Sequence, residues 1–142
     1  KGLEEGAKLC TGGRGRPADL VKVFYAEPTV FGYVTNDMTI AREEIFGPVL
    51  AATKFQDLDE VISLANDTQY GLGAGVFTSD VNKAHSVAAK IQSGNVWVNH
   101  YGGMHSALPF GGYKQSGWGR ELGEDGFKAY TEQKTVSIKL ST

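Results

Sequence analysis

The chain has 142 residues, of which 41% are hydrophobic and 21% are charged, and its net charge is −2. This composition is typical of a globular protein with a real core and argues against intrinsic disorder. The small net charge and the lack of Lys/Arg clusters exclude an extended nucleic-acid or heparin surface. No apolar run approaches the roughly 18 residues of a membrane span.

The first third is predicted to be irregular, with short strands. Residues 2–8 resemble the end of a helix, and no Met precedes them, so the sequence is expected to begin inside a longer protein. Strands are predicted at residues 8–11 and 21–25, separated by a Gly-rich surface loop at residues 12–17. That loop lacks the Gly-Lys-Ser/Thr of a phosphate-binding loop.

Cys10 is the single cysteine. It excludes an internal disulfide framework and fits a reducing compartment, so we expect a cytoplasmic protein. A lone Cys can be a catalytic nucleophile. Here a structural thiol at a strand end is favoured, because no His or acid stands at an activating spacing.

The middle third alternates strands and helices. Strands are predicted at residues 49–55, 73–78 and 95–99. The first helix has Asp57 as its N-cap and Glu60 at the capping-box offset, and its apolar stripe is Leu58, Val61, Ile62 and Ala65. The second helix is predicted to start at Ser79 or Asp80 and to end at a C-terminal cap at Gly94. Its inward-facing residues are predicted to be Val81, Ala84, Ala88 and Ile91.

The order β-α-β-α-β with short connections predicts an α/β fold with a mostly parallel sheet. The loop at residues 100–116 then lies beyond the carboxyl ends of the strands, where ligands bind in open α/β sheets. A short helix is predicted from Gly119 to about Tyr130. Residues 134–140 alternate, with Val136, Ile138 and Leu140 on one side, and predict a half-buried edge strand that pairs with another subunit.

Two segments could carry chemistry. Glu44 and Phe46 stand two residues apart before a rigid Gly47-Pro48 stop, and in an extended segment they project to one side. They could hold a ribose by its hydroxyls and pack on a ring. The alternative is a solvated Glu43-Glu44 face with Phe46 in the core. Residues 109–121 combine glycines, aromatics and polar groups, as either a ligand-binding edge or a structural turn.

These segments resemble the NAD(P)-dependent aldehyde dehydrogenases. The motifs that carry the resemblance span the chain in family order: Glu43-Glu44-Ile45-Phe46-Gly47-Pro48, Asn66-Asp67-Thr68-Gln69-Tyr70-Gly71, Gly94-Asn95-Val96-Trp97-Val98-Asn99, Pro109-Phe110-Gly111-Gly112 and Thr131-Glu132-Gln133-Lys134. The resemblance implies the C-terminal portion of the catalytic domain at residues 1–130 and an oligomerisation strand at residues 131–142.

The resemblance also implies oxidation of an aldehyde to a carboxylic acid, with NAD or NADP as hydride acceptor, through a cysteine thiohemiacetal and a thioester. Glu44 matches the carboxylate that holds the nicotinamide ribose, and Phe46 matches the aromatic that supports the nicotinamide. Cys10 lies too near Glu44 to match the nucleophile. The nucleophile is therefore expected outside this chain, and the chain alone is expected to be inactive.

Further residues are carried over position by position. His100, Tyr101, Met104 and Phe110 match the substrate pocket, and Glu121 matches a proton-relay carboxylate. Lys114 and Gly117 match positions of a monovalent cation in certain members, and no other metal site is expected.

The loop at residues 100–108 has no Arg, which favours a medium-sized neutral aldehyde over an anionic semialdehyde. Same-protein subunits are the expected partners, without nucleic acid or membrane. The alternative function is a stand-alone, non-catalytic binding or assembly module of the same fold.

Overall fold

A computed structural model describes residues 1–17, 20, 22 and 24–140, and the chain divides into two compact units, Lys1–Thr68 and Gln69–Thr142. The first unit contains β1 (Lys8–Thr11), β2 (Thr29–Gly32), α1 (Thr39–Arg42), β3 (Val49–Ala51) and α2 (Leu58–Asn66). The second unit contains β4 (Gly73–Val76), α3 (Val81–Lys90), β5 (Asn95–Val98) and α4 (Gly123–Lys128). A single 3₁₀ turn at Lys114–Ser116 is also described in the second unit.

The first unit is built on a mixed sheet in the order β1-β2-β3. β1 and β2 are antiparallel, whereas β2 and β3 run parallel and are joined through α1. A small core of Ala7, Val34 and Met38 packs against the partly buried Phe31, Ile40 and Ala51. This core lies beside α1 and therefore supports the segment that follows it.

The second unit is a β-α-β element. β4 and β5 pair in parallel, with Gly75 opposite Trp97, and α3 crosses between them and buries Ala84 and Val87. Side chains along β5 are all half-buried.

The predicted continuous parallel β-α-β-α-β core is wrong. β3 belongs to the sheet of the first unit, which also contains an antiparallel pair, and β4 and β5 form a separate two-stranded sheet. The error arose because β2, the partner of β3, was not predicted. It is only four residues long and has no hairpin turn or clear alternation to mark it. The chain is a mixed α/β structure with two small sheets.

The starts of α2 and α3 were predicted correctly. The Asp57 carboxylate accepts from the Glu60 N–H at 2.9 Å, and the Asp80 carboxylate accepts from the N–H groups of Asn82 and Lys83. Each acceptor satisfies N–H groups that the first turn of a helix leaves unpaired. The Glu60 carboxylate accepts from Gln56 N at 2.6 Å, one residue before the N-cap.

Several boundaries differ from the prediction. Val81 is 65% exposed and does not face inward, and α3 ends at Lys90 with Ile91 as its C-cap, so Gly94 is no helix cap. The predicted strands at residues 49–55, 73–78 and 95–99 end earlier, at Ala51, Val76 and Val98.

Other segments lack the predicted regular structure. Residues 2–6 form turns and not a helix end, and the helix predicted from Gly119 begins only at Gly123. In the predicted strand at residues 21–25, Val21 and Val23 lie outside the described residues, and Phe24 and Tyr25 are exposed and in no strand. Residues 134–140 form no strand, and Val136, Ile138 and Leu140 are at least 70% exposed, so within one chain the half-buried prediction is wrong.

No helix in the described part of the chain is long and apolar enough to cross a bilayer.

A carboxylate from the start of the chain binds the first turn of α1. Glu5 accepts hydrogen bonds from the Thr39 hydroxyl and from the Thr39 N–H, the latter at 2.7 Å. The N-cap residue Met38 offers no side-chain acceptor, so Glu5 takes over that role from 34 residues away. The hydrogen bond from the Thr39 hydroxyl has the largest effect on the Glu5 carboxyl, and the bond from the Thr39 N–H has the next largest. Together they hold the pKa of Glu5 below its usual 4.5.

This bond predicts a pH-dependent contribution to stability. Because the folded-state pKa of Glu5 is lowered, its contribution is present above about pH 4.5 and is lost as the pH falls through the lowered value. In Glu5→Gln, the fall of the melting temperature between pH 5 and pH 3 should be shallower than in the wild type.

Thermal unfolding followed by circular dichroism measures this slope. Glu4→Gln is the matched control, since Glu4 contacts only the N-terminal ammonium, at 3.6 Å, on the exposed surface. Equal slopes for Glu5→Gln and the wild type would contradict the prediction.

Candidate functional site

The segment between α1 and β3 leaves the helix at Glu43 in an extended conformation and turns sharply at Phe46. Phe46 has φ of 56°, in the left-handed region that costs a non-Gly residue roughly 1–2 kcal/mol. The assumption of an extended segment through Phe46 is therefore wrong. Backbone strain of this kind is concentrated at binding and catalytic sites.

Glu44 and Phe46 nevertheless line the same hollow, called here the Glu44 hollow. It measures about 470 Å³ and is lined by Ile40, Glu43, Glu44, Ile45, Phe46, Gly47 and Val49. The Phe46 ring is 91% exposed, and the exposed Glu44 carboxylate has no hydrogen-bond partner among the described residues. An acceptor and a flat apolar ring therefore both face solvent at one concave surface.

The start of this segment is anchored by an ion pair. The Arg42 guanidinium binds Asp67 bidentately, with Nη2 at 2.8 Å from Oδ2 and Nη1 at 3.1 Å from Oδ1, and Nη1 also donates to the Asp67 carbonyl at 3.0 Å. Asp67 is the C-cap of α2. The guanidinium thus joins the ends of two helices immediately before Glu43, and its fork geometry fixes direction as well as distance.

A second hollow, called here the loop hollow, lies in the second unit. It measures about 600 Å³ and is lined by Gly94, Asn95, Val96, Trp97, His100, Gly103, Met104, His105, Leu108, Pro109, Phe110 and Leu122. Three of the predicted pocket residues, His100, Met104 and Phe110, line it. Tyr101 is not among the lining residues, and its ring packs on that of Trp97.

Phe110 and Glu121 are held together by their backbones. Each N–H donates to the carbonyl of the other at 2.7 Å, forming an isolated antiparallel bridge. Both residues also line a third hollow of about 420 Å³, together with Trp118 and Arg120 among others. Phe110 therefore belongs to two hollows, and the Glu121 carboxylate is exposed beside one of them.

The backbone of this region is packed unusually closely. Asn95 Nδ2 donates to the carbonyls of Leu72 and Gly111, at 3.2 and 3.3 Å. A Cβ on Gly94 would lie only 1.7 Å from the Gly111 oxygen, so no side chain fits there. Arg120 Nη1 donates to the carbonyls of Gly119 and Gly112, at 2.6 and 3.1 Å, and the guanidinium lies over the Tyr113 ring.

The remaining candidate residues show no assembled site. Lys114 and Gly117 bound the 3₁₀ turn, where the Lys114 carbonyl accepts from Gly117 N at 3.4 Å. Cys10 is exposed in β1, and its Sγ lies 3.6 Å from the Lys8 carbonyl. Among the described residues, no group of three or more His, Cys, Asp or Glu is placed to hold a metal ion.

Outside the loop at residues 100–108, the sequence did not single out Asn95, Trp97 and Leu122 as ligand-facing residues of the loop hollow. Trp97 was interpreted as the centre of a buried strand. The signal that could have found it is the pair Gly73 and Gly75 on the neighbouring strand, because glycines in a strand often mark close approach of another group.

Residues 1–136 match the family model described as the aldehyde dehydrogenase family. The chain belongs to the aldehyde dehydrogenase family. It is 56% identical to aldehyde dehydrogenase 1A1 of Bos taurus over 141 residues, which are 99% of this chain and 27% of that protein. The chain thus spans about a quarter of the length of this curated relative.

Solved structures agree with this family membership. A Mycobacterium tuberculosis aldehyde dehydrogenase complexed with NAD+ superposes with a TM-score of 0.94 at 46% identity, covering 100% of this chain and 29% of that one. A mutant of aldehyde dehydrogenase C from Pseudomonas syringae, in complex with NAD+ and octanal, gives 0.87 at 51% identity, covering 92% and 27%.

Because the Gly111 carbonyl lies so close to Gly94, a single added methyl group at Gly94 is expected to lower the stability of the fold strongly. Gly94→Ala forces a Cβ against the Gly111 carbonyl, which is backbone and cannot swing aside. Overpacking of this kind costs about 1–3 kcal/mol, and we expect a loss of at least about 2 kcal/mol in the free energy of unfolding.

Urea unfolding monitored by fluorescence measures this loss. Gly15→Ala is the matched control, since its Cβ would meet nothing closer than 3.6 Å, the end of the flexible Glu27 side chain. A Gly94→Ala variant as stable as Gly15→Ala would contradict the close approach.

Proposed function

We propose that these residues form the C-terminal part of an NAD(P)-dependent aldehyde dehydrogenase, with residues 1–130 in its catalytic domain and residues 131–142 as a subunit-pairing strand. The observation that carries the proposal is the Glu44 hollow. In a member of the aldehyde dehydrogenase family, this hollow contains the Glu44 carboxylate, which has no partner among the described residues. It also contains the exposed ring of Phe46, whose backbone is in the strained left-handed region.

The Glu44 hollow fits one half of a nicotinamide cofactor. The hydroxyls of a ribose need acceptors, and both oxygens of the Glu44 carboxylate lack a hydrogen-bond partner among the described residues. A nicotinamide ring needs a flat apolar surface, which the Phe46 ring supplies. NAD or NADP bound there would accept the hydride of the aldehyde. Support comes from relatives whose structures contain NAD+.

In this proposal, the residues that contact the aldehyde lie in the second unit. Phe110, Met104 and His100 line the loop hollow and enclose the aldehyde chain, with Tyr101 supporting from behind. Glu121, fixed to Phe110 through the backbone, relays a proton away from the water that attacks the thioester. Lys114 and Gly117 remain a predicted monovalent cation site.

The cysteine nucleophile is proposed to lie in another part of the enzyme. Cys10 is exposed, and no His or acid that could act as a general base is among its described contacts. The 142 residues alone are therefore expected to oxidise no aldehyde. Support for this reading is that the chain spans 27% of a full-length relative.

Replacement of Glu44 tests the cofactor role. In the full-length enzyme, Glu44→Gln keeps the size of the side chain but weakens the acceptor, so the nicotinamide is held less firmly. Misplaced reactants lose rate steeply, and we expect hydride transfer to slow by roughly 10–100-fold and the cofactor KM to rise. A 1-deuterated aldehyde should show a larger isotope effect on kcat than in the wild type.

Glu27→Gln is the control, since that carboxylate lies beside the Gly15 loop and lines none of the hollows described above. Unchanged kcat, cofactor KM and isotope effect in Glu44→Gln would refute the proposed cofactor role.

The lining of the loop hollow favours a medium-sized neutral aldehyde. Apolar walls come from Met104, Leu108 and Phe110, and no Arg or Lys is among the lining residues. An anionic substrate usually requires such a cation. The relative crystallised with octanal supports the same substrate class.

The full-length enzyme is therefore expected to show a higher kcat/KM for hexanal than for succinic semialdehyde. Steady-state NADH formation at 340 nm measures both. Measuring the two aldehydes at two salt concentrations separates recognition of the carboxylate from general electrostatic attraction. A preference for the semialdehyde would overturn the neutral-aldehyde proposal while leaving the oxidation itself intact.

The tail is proposed to pair with a second subunit. The exposed side chains of Val136, Ile138 and Leu140 alternate along it, as in a strand that is covered on one side by a partner. A homo-oligomer in the cytoplasm remains our prediction.

A further inference from the structure

The loop that forms one wall of the loop hollow is attached to the sheet by two aromatic rings in tilted contact. The rings of Trp97, in β5, and Tyr101, just after it, have centroids 4.9 Å apart at an angle of 58°. Trp97 Nε1 donates to the Gly103 carbonyl at 2.6 Å. The Trp97 indole therefore contacts both the Tyr101 ring and the backbone of Gly103 in the loop.

Both rings rest on a strand surface without side chains. Gly73 and Gly75 stand two residues apart on β4 and so share one face. A Cβ on Gly73 would lie 2.8 Å from the Trp97 ring, and a Cβ on Gly75 would lie 2.9 Å from the Tyr101 ring. Each ring therefore occupies the space that an ordinary side chain would fill. We call Trp97, Tyr101, Gly73 and Gly75 the aromatic brace.

The loop is also tied at its far end. Leu108 N donates to the His105 carbonyl at 2.9 Å, and Gly123 N donates to the Ser106 carbonyl at 2.9 Å. His100, Met104 and His105, which line the loop hollow, belong to the segment that the aromatic brace and these hydrogen bonds hold. The side chains themselves are exposed, so packing around them does not fix the loop.

From this arrangement we propose that the aromatic brace determines chain-length specificity for the aldehyde. It sets how far the loop at residues 100–108 stands from Phe110 and hence the depth of the loop hollow. Trp97 contacts the hollow itself, whereas Tyr101, Gly73 and Gly75 are positioning residues that act through the loop. The inference rests on the proposed oxidation of aldehydes at this site.

The physical basis is the steep dependence of selectivity on fit. One methylene in a well-formed apolar pocket is worth about 10–200-fold in kcat/KM, but only while the walls hold their positions. Displacement of the loop by the width of a methyl group should therefore reduce discrimination among aldehydes more than it reduces the chemical step.

The test uses the full-length enzyme and the ratio of kcat/KM for hexanal to that for propanal. Gly75→Ala pushes the Tyr101 ring, and Trp97→Phe removes the donor to Gly103 while keeping a ring. We expect each to lower the ratio at least about fivefold. The hexanal KM should rise in both variants, and in Gly75→Ala kcat with propanal should stay within about twofold of the wild type. Gly15→Ala, on an exposed loop, is the control.

Two further variants separate positioning from general damage. Tyr101→Phe keeps the ring and should preserve the wild-type ratio. Gly75→Ala placed in a Tyr101→Ala background should lower the ratio no further than Tyr101→Ala alone, because the added methyl group then has no ring to displace.

An unchanged ratio in Gly75→Ala and Trp97→Phe overturns the inference, as does an equal fall of kcat/KM for both aldehydes. A wild-type enzyme that oxidises neither aldehyde with NAD(P)+ refutes the proposed function instead. The two failures are therefore distinguishable in one set of assays.

Discussion

The structure of the second unit depends on close contacts between backbone segments that have no side chain between them. Gly94 touches the Gly111 carbonyl, and Phe110, one residue before Gly111, exchanges two hydrogen bonds with Glu121. These contacts bring the start of β5 against the segment that follows the loop. As a result, the loop between them is held at both ends, and its side chains can remain exposed to a ligand without depending on a core of their own.

In the first unit, polar side chains and not backbone contacts hold the functional segment in place. Its buried core is small, and α1 has only four residues, which is too short to be stable by itself. The helix is held at its start by the Glu5 carboxylate and at its end by the Arg42–Asp67 ion pair. Both groups are partly or largely exposed, so the stability they add is modest. Their effect is chiefly geometric, since they set the direction in which the chain enters residues 43–48.

Features governed by local sequence were predictable. α2 and α3 were found because an Asp stands at each start and apolar residues recur with a helical period. β2 and α1 were missed, because four-residue elements carry too little periodicity and exist here through distant partners such as Glu5. For the same reason β3 was assigned to the wrong sheet.

For the candidate site, the sequence indicated which residues share a hollow but not their backbone geometry. Glu44 and Phe46 were singled out from a six-residue motif and line one hollow, but the left-handed backbone at Phe46 depends on how the chain turns between α1 and β3. The pair Gly73 and Gly75 signals the close approach of another group, but the register that sets Gly75 opposite Trp97 is needed to identify that group. Tyr101 was assigned to the pocket from its position in the sequence, whereas in the structure it packs on Trp97 and is not a lining residue of the loop hollow.

The left-handed backbone at Phe46 also has an evolutionary consequence. Glycine would adopt this conformation without strain, so for folding alone it is the better residue at position 46. Glycine would also delete the exposed ring, and with it one wall of the Glu44 hollow. Selection for stability and selection for a binding surface therefore oppose each other at this position. A lineage freed from the need to bind there should lose the aromatic residue early, while its fold persists.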